Sequence, residues 1–325
     1  MFASSNIKAL RHSARSKKWR YDMKKICKLV LPAILISTLL FSGIAFAKEK
    51  SLTVGGKDYT EQLLLPELAG ILLEQAGFDI TLKTGVGTVI ARKSLENAQT
   101  DLYFEYTGTA YTLFYKQKDK QIMTVPEKVY DWVKKADVEK GLVWLDPVKF
   151  NNTYTLMMKK TEAEKLGIKT ISDLGVYVTK NPDKLIFALD SEFWERPDGF
   201  KGIMKMYNFK LPVKQVKKMT VGLTYQALKK GLVNSAMGFS TDGRIAAFGF
   251  VNLVDDKSFF PVYNPVPVVR KEILDKYPEI EGILKPIADN LTTEEMQQLN
   301  KAVDVDHKPV HDVAMDWLKT KNLIK

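Results

Sequence analysis

Short apolar runs alternate with longer helix-compatible segments along most of the chain. Three runs rich in β-prone residues, 52–54, 80–83 and 102–106, are separated by segments at about 60–76 and 89–97 that suit helices. Strands separated by helices are typical of α/β folds with parallel strands. The first helix is apolar nearly all round, which predicts that it is buried. Asp58 and Glu61 predict a capping box at its start.

The alternation continues through the second half of the chain. A helix is predicted at 125–141 and a strand at 142–145, and the run 153–158 begins a new series of segments. Further helices and strands are predicted at 171–178, 185–189, 199–207, 224–230 and 235–239. This pattern predicts a second lobe inserted into the first, followed by a polar-faced helical tail from residue 271.

An internal repeat supports two related lobes. Residues 93–107 overlay residues 226–240 with a constant shift of 133, so that a leucine matches a leucine and Asp101 matches Asn234. An aromatic residue followed by a hydroxyl residue closes both segments, Tyr106-Thr107 in the first and Phe239-Ser240 in the second. Each lobe would then present one ring and one hydroxyl-bearing helix N-terminus to a shared cleft.

The stretch 101–109, DLYFEYTGT, has the features of a binding-site edge. Its β-prone run ends at Tyr106, and Thr107, Gly108 and Thr109 lead into a helix-compatible segment. Open α/β sheets bind ligands where a strand end feeds a helix N-terminus, because the free N–H groups and the helix dipole attract negative charge. The alternative is that Tyr106 is a core residue and the threonines only cap the helix.

The first 47 residues have the pattern of a secretory signal peptide. An apolar run at 29–46 follows a basic region and ends in Ala45-Phe46-Ala47, which predicts cleavage after Ala47. Residues 1–22 are interpreted as an over-extended start, since Met23-Lys24-Lys25 can begin an ordinary signal peptide. The alternative is a membrane anchor, for which the apolar run is at the short end of the usual length.

Removing this segment changes the charge argument. The whole chain has a formal charge of +11, but residues 1–47 hold nine Lys/Arg and one acid, which leaves 40 basic and 37 acidic residues in the predicted mature part. This near balance, without a basic stripe interleaved with aromatics, argues against a nucleic-acid partner. The only cysteine, Cys27, lies in the removed segment, so the mature chain has no disulfide and no thiol nucleophile.

Four motifs together carry a resemblance to a known family. GGKDYTEQ at 55–62, EYTGT at 105–109, FSTDGRI at 239–245 and FFPVY at 259–263 lie in an order that resembles the substrate-binding proteins of ABC importers for glycine betaine, choline and related osmoprotectants. The resemblance implies a two-lobed periplasmic binding protein of type II, with mixed sheets flanked by helices and a ligand cleft between the lobes. It implies a first lobe of residues 48–153 plus 264–325 and a second lobe of residues 154–263. It also implies a periplasmic monomer that delivers a small quaternary amine to a permease in the inner membrane.

The resemblance also assigns the candidate site. It implies an aromatic cage for a trimethylammonium group, formed by Tyr106, Tyr154, Phe239 and Tyr263. It places Lys57, Arg196 and Thr109 where a ligand carboxylate needs donors. Phe239 departs from the family pattern, in which a tyrosine is expected. For Arg196, a structural salt bridge to Glu192 or Asp198 is the alternative role.

Other functional motifs are incomplete. The segment 85–90, GVGTVI, has isoleucine where a dinucleotide fingerprint needs its third glycine, which argues against a cofactor. The segment 238–243, GFSTDG, is one residue too long for a nucleophile elbow. His307 and His311 have helical spacing, but Pro309 lies between them, and we expect no metal site. A receptor is therefore favoured over an exported enzyme, with another small cation or an amino acid as alternative ligand.

Overall fold

The computed structural model describes residues 50–325, which contain two five-stranded sheets flanked by helices. Both sheets belong to one compact unit, Lys50–Lys325. The predicted signal segment and its cleavage site after Ala47 lie outside the described residues. Within them, none of the helices has the length and apolar character that crossing a membrane would need.

The strands and helices that the pattern predicted are present in the predicted order, and further elements lie between them. The strands are β1 Lys50–Lys57, β2 Phe78–Val86, β3 Leu102–Tyr106, β4 Leu142–Trp144, β5 Tyr154–Lys159, β6 Phe187–Leu189, β7 Val216–Lys218, β8 Ser235–Phe239, β9 Phe250–Asn252 and β10 Pro265–Arg270. The helices of the first half are α1 Glu61–Gln75, α2 Thr88–Glu96, α3 Thr107–Thr109, α4 Lys120–Met123, α5 Pro126–Asp137, α6 Lys160–Leu166 and α7 Ile171–Lys180. Those of the second half are α8 Ser191–Glu195, α9 Phe200–Met206, α10 Val221–Lys229, α11 Arg244–Ala247, α12 Lys271–Lys276, α13 Glu279–Asn290, α14 Thr293–Asp304 and α15 Val310–Thr320. A π-helical turn, Ala110–Phe114, continues α3, and 3₁₀ turns lie at Val138–Lys140 and Val213–Gln215.

The two sheets have the same topology. The first has the order β2-β1-β3-β10-β4 and the second the order β7-β6-β8-β5-β9. In each sheet the first three strands are mutually parallel, and the fourth is antiparallel to both of its neighbours. Parallel strands need crossover connections, which the intervening helices provide. The predicted mixed α/β fold is therefore confirmed.

The internal repeat corresponds to structurally equivalent elements. β3 and β8 differ by 133 positions at both ends, and so do the starts and ends of α2 and α10. The pairing register has the same shift, because Val54 faces Leu102 in the first sheet and Phe187 faces Ser235 in the second. The short sequence overlay therefore marks the same strand in two similar halves.

The chain crosses between the sheets twice, and the two crossings are bonded to each other. One crossing joins β4 to β5 and the other joins β9 to β10. Asn152 N donates to Tyr263 O at 3.0 Å, and Tyr263 N donates to Asn151 Oδ1 at 2.8 Å. Two short paired segments of this kind can act as a hinge, because few dihedrals must change to rotate one half against the other.

A third connection lies beside the two crossings, where the loop after β8 packs on α14. Gln297 Nε2 donates to Ser240 O at 3.0 Å, and Asn300 Nδ2 donates to Thr241 O at 3.0 Å. Gly243 lies so close to this helix that an added Cβ would be 2.5 Å from Gln297 O. The loop of the second sheet is therefore held tightly against a helix that packs on the first.

One local prediction about α1 is wrong. The helix is deeply buried as expected, but its N-cap is Thr60, and no side-chain capping bond forms there. Glu61 does not turn back to the helix start. Its carboxylate instead accepts hydrogen bonds from three side chains distant in sequence, which offer better-placed donors in a buried setting.

Candidate ligand-binding site

A cavity of about 830 Å³ lies where β1, β3 and β8 end and where the crossings begin. The seven residues that the sequence proposed for the site all line it: Lys57, Tyr106, Thr109, Tyr154, Arg196, Phe239 and Tyr263. Tyr106 and Phe239 are the last residues of β3 and β8, so the equivalent strands of the two sheets each point one ring at the cavity. Tyr154 begins β5 and pairs with Phe239 in the sheet.

The rings are packed against one another. The Tyr154 centroid is 5.1 Å from Phe239 and 5.6 Å from Tyr263, the latter in an edge-to-face arrangement. Burial is the largest cause that raises the pKa of Tyr106, Tyr154 and Tyr263 well above the ordinary phenol value. The phenols are therefore neutral, and their faces carry the negative quadrupole that attracts cations.

Lys57 is a buried cation with a buried partner. It ends β1, its exposed fraction is 2%, and its Nζ donates to Glu105 Oε1 at 2.6 Å. The same Nζ lies 5.0 Å from the centre of the Tyr106 ring. Because an ammonium has three donors, this pairing compensates the charge and leaves N–H groups for another acceptor.

Arg196 is held by two carboxylates and a hydroxyl. Its Nε and Nη2 donate to Asp198 at 2.8 and 2.7 Å, Nη1 donates to Glu192 at 3.0 Å, and Nη2 donates to Thr109 Oγ1 at 3.3 Å. Burial raises the pKa of Asp198, but the adjacent guanidinium outweighs this and leaves the pKa lowered. The salt bridges that were the alternative role are present, and one of the five N–H groups has no assigned bond within residues 50–325.

Asp198 also connects the two halves of the structure. Its Oδ2 accepts hydrogen bonds from Tyr263 Oη at 2.6 Å and from Thr112 Oγ1 at 2.8 Å. On the same side of the cavity, Thr88 N donates to Glu192 Oε2 at 3.4 Å. The arginine cluster therefore ties elements after β2 and β3, and the crossing before β10, to the segment after β6.

Glu61 lies behind the rings, at the start of α1. Its Oε1 accepts from Tyr106 Oη at 2.7 Å and from Asn152 Nδ2 at 2.8 Å, while Oε2 accepts from Thr241 Oγ1 at 2.6 Å. Burial raises the pKa of this carboxyl to about 7, against the lowering effect of these hydrogen bonds. One carboxyl thus links a ring of the site, the first crossing and the loop after β8.

Two carboxyls lie on the opposite wall. Asp190 caps α8 by accepting from Phe193 N at 2.6 Å, and burial, aided by the charge of Glu192, raises the pKa of Asp190 to about 6. Burial also raises the pKa of Glu192, but Arg196 and Lys57 leave it lowered. This wall therefore contains one carboxyl that titrates close to neutral pH and one that stays ionised.

Sequence reasoning missed Tyr59 and Glu61 as parts of the site. Both lie in the quoted motif GGKDYTEQ, directly after β1, and Tyr59 lines the cavity. The available signal was their position at the carboxyl end of a parallel strand, beside the end of β3, where sheets of this type place functional groups.

The fold and the cavity define a two-lobed binding protein of the type II periplasmic class. Residues 50–320 match the family described as the substrate binding domain of ABC-type glycine betaine transport systems. The chain belongs to this family.

Individual relatives agree with this assignment. The chain is 36% identical to a glycine-betaine-binding protein of Pseudomonas aeruginosa over 91% of this chain and 96% of that protein. It is 34% identical to the glycine betaine-binding protein YehZ of Escherichia coli over 84% of this chain and 91% of that protein. A solved structure of a glycine betaine/carnitine/choline ABC transporter superposes with a TM-score of 0.67 at 29% identity, covering 83% of this chain and 98% of the other.

Proposed function

We propose that this protein captures a quaternary-amine osmoprotectant of the glycine betaine type and delivers it to an ABC permease. The observation that carries the proposal is the convergence of neutral aromatic rings and two compensated cations on one cavity. A trimethylammonium group cannot donate hydrogen bonds, so aromatic faces are its natural partners. The names of the two relatives, both glycine-betaine-binding, support the same ligand class.

The polar end of the site suits a carboxylate. Lys57 keeps N–H donors beyond the one used by Glu105, Arg196 keeps one beyond those used by its partners, and Thr109 offers a hydroxyl. Charge-assisted hydrogen bonds are roughly twice as strong as neutral ones. Zwitterions with a carboxylate should therefore bind more tightly than choline, whose hydroxyl gains less from these donors.

The proposal includes the organisation of the chain. Lobe I comprises residues 48–153 and 264–325, lobe II comprises residues 154–263, and the ligand binds between them. The mature protein begins at Lys48 after export to the periplasm and acts as a monomer. N-terminal sequencing of secreted protein and light scattering test these two statements directly.

A ligand panel tests the proposed function. Melting temperatures are measured with glycine betaine, choline, carnitine, proline betaine and a set of amino acids, because a ligand that binds only the folded state stabilises it by RT ln(1 + [L]/Kd). We expect large shifts for the zwitterionic quaternary amines. Shifts for amino acids alone would point to the alternative receptor, and chemical conversion of a bound ligand, followed by NMR, would point to an enzyme.

A further inference from the structure

A fifth ring, Tyr59, lies on the cavity wall. It occupies the three-residue connection Asp58–Thr60 between β1 and α1 and lines the cavity with the four proposed cage rings. Those four are buried, with exposed fractions of 8% or less, whereas Tyr59 is only half-buried. A ring attracts a cation only through an accessible face, so Tyr59 has more free surface to offer than its neighbours.

The Tyr59 ring stacks on two of the proposed cage rings. Its centroid is 4.9 Å from that of Phe239 with an interplanar angle of 26°, and 6.4 Å from that of Tyr106 with an angle of 29°. A ligand methyl group cannot occupy the part of a ring face that another ring already covers. Phe239 is further flanked by Tyr154 at 5.1 Å, so much of its surface is used within the aromatic cluster.

We propose that Tyr59 is a ligand-contacting and specificity-determining ring, and that it presents the π face that Phe239 was expected to present. This inference rests on the proposed function, since it concerns the cationic end of the same ligand. Phe239 then acts as the support on which Tyr59 stacks, a role that needs an aromatic face and no hydroxyl.

The position of Tyr59 also suits it to discriminate between cations by the size of their substituents. The ring follows Lys57 by two residues and precedes Glu61 by two, so both neighbours on the chain are fixed by buried hydrogen bonds. A ring held on such a short, anchored connection has little freedom to retreat from a bulky group. It should therefore favour compact trimethylammonium groups over ligands with larger substituents on nitrogen.

Titration calorimetry on four variants tests the inference with glycine betaine and its triethylammonium analogue as probes. Tyr59→Leu keeps an apolar side chain and removes the π face, Tyr59→Phe keeps the face, and Tyr59→Trp enlarges it. Tyr177→Leu is the matched control, because Tyr177 is half-buried on α7 and does not line the cavity. We expect Tyr59→Leu to weaken glycine betaine binding by about fivefold or more, and Tyr59→Phe and the control to stay within about twofold.

The preference between the two ligands distinguishes a direct contact of Tyr59 with the ligand from an effect of Tyr59 on the stability of the fold. In Tyr59→Leu, the preference for glycine betaine over the triethyl analogue should fall, while ligand-free melting stays close to that of the wild type. Equal or tighter binding of glycine betaine by Tyr59→Leu would overturn this inference and leave the proposed function intact. If Tyr59→Leu does not fold, the Tyr59→Trp variant is used instead. Wild-type affinity together with a ligand-dependent change in the emission of the introduced indole supports the contact. Unchanged emission overturns it. If the wild type binds no quaternary amine, the proposed function fails, and the inference fails with it.

Discussion

The hydroxyl of Tyr106 and its ring lie in different surroundings. The ring lines the cavity, whereas the hydroxyl points away from it and donates to the buried carboxyl of Glu61 at 2.7 Å. A buried hydrogen bond to such a group contributes about 1 to 3 kcal/mol to stability, because its loss leaves an acceptor without its partner. The affinity for ligand and the stability of the fold can therefore be changed independently at this residue.

Tyr106→Phe is expected to lower the free energy of unfolding by about 1 to 3 kcal/mol and to leave ligand affinity nearly unchanged. Tyr106→Ala should also weaken the ligand by about 1–2 kcal/mol or more, because it removes the ring face. Urea denaturation measures the first effect and titration calorimetry the second. Equal losses of affinity in the two variants would show that the hydroxyl, and not the face, contacts the ligand.

Arg196 forms structural salt bridges, and we propose that it also binds the ligand carboxylate. Arg196→Ala leaves Asp198 buried without its cation, which should cost about 3–5 kcal/mol of stability. Adding Asp198→Ala should recover part of this loss, because the uncompensated charge is then removed. In the folded Arg196→Ala protein, a zwitterion should lose about 2 kcal/mol or more of binding free energy while choline changes little. Equal losses for both ligands, measured by calorimetry, would limit Arg196 to its structural salt bridges.

At the scale of the elements, the start of α1 shows what the sequence could and could not predict. The strands, the helix and its burial follow from hydrophobic spacing, and the proposed cage rings follow from the resemblance of the motifs to the family. The hydrogen-bond partners of the Glu61 side chain cannot be predicted in this way, because the same carboxylate suits both a local capping box and a network of distant residues. The donors Asn152 and Thr241 are 91 and 180 residues away, and only the folded chain brings them close.

The network at the start of α1 should make stability depend on pH. Glu61 has a folded pKa of about 7, above its ordinary value of 4.5, so the folded state holds its proton more tightly than the unfolded state. This contribution is fully present below pH 4.5 and is lost as the pH rises through about 7. The loss amounts to about 3 kcal/mol, since one pKa unit corresponds to about 1.4 kcal/mol.

Glu61→Gln removes this titration and keeps an acceptor oxygen in place. Relative to the wild type, the variant should become more stable by up to about 3 kcal/mol on going from pH 4.5 to pH 8. Asp190, whose pKa burial raises to about 6, is present in both proteins, so the difference between the two denaturation series isolates Glu61. Parallel stability curves for the two proteins across this range would contradict the assignment.

For the whole molecule, the contacts across the cavity predict closure around a ligand. Arg196 and Asp198 of proposed lobe II bond Thr109 and Thr112 of proposed lobe I, and the paired crossings are the proposed hinge. A ligand that bridges the two halves should favour the state in which these bonds form.

Spin labels at Ile90 and Leu223 can measure this closure. The two residues are 58% and 56% exposed, lie in the first turn of α2 and α10 on either side of the cavity, and are equivalent under the 133-residue shift. A chain that starts at Lys48 contains no native cysteine, so Ile90→Cys with Leu223→Cys labels only these sites. Saturating glycine betaine should shorten and narrow the interlabel distance distribution. The same distribution with and without ligand, in a protein shown to bind it, would exclude hinge closure.

The repeated topology of the two sheets allows each half of the site to change separately. Tyr106 and Phe239 end equivalent strands, and the Tyr106 hydroxyl donates to Glu61 of its own half. Phe239 has no hydroxyl, so the equivalent ring of the other half needs no such acceptor. A protein built from two like halves can change one wall of its site by mutation while the other wall keeps its contacts, so a new specificity can arise in one half at a time.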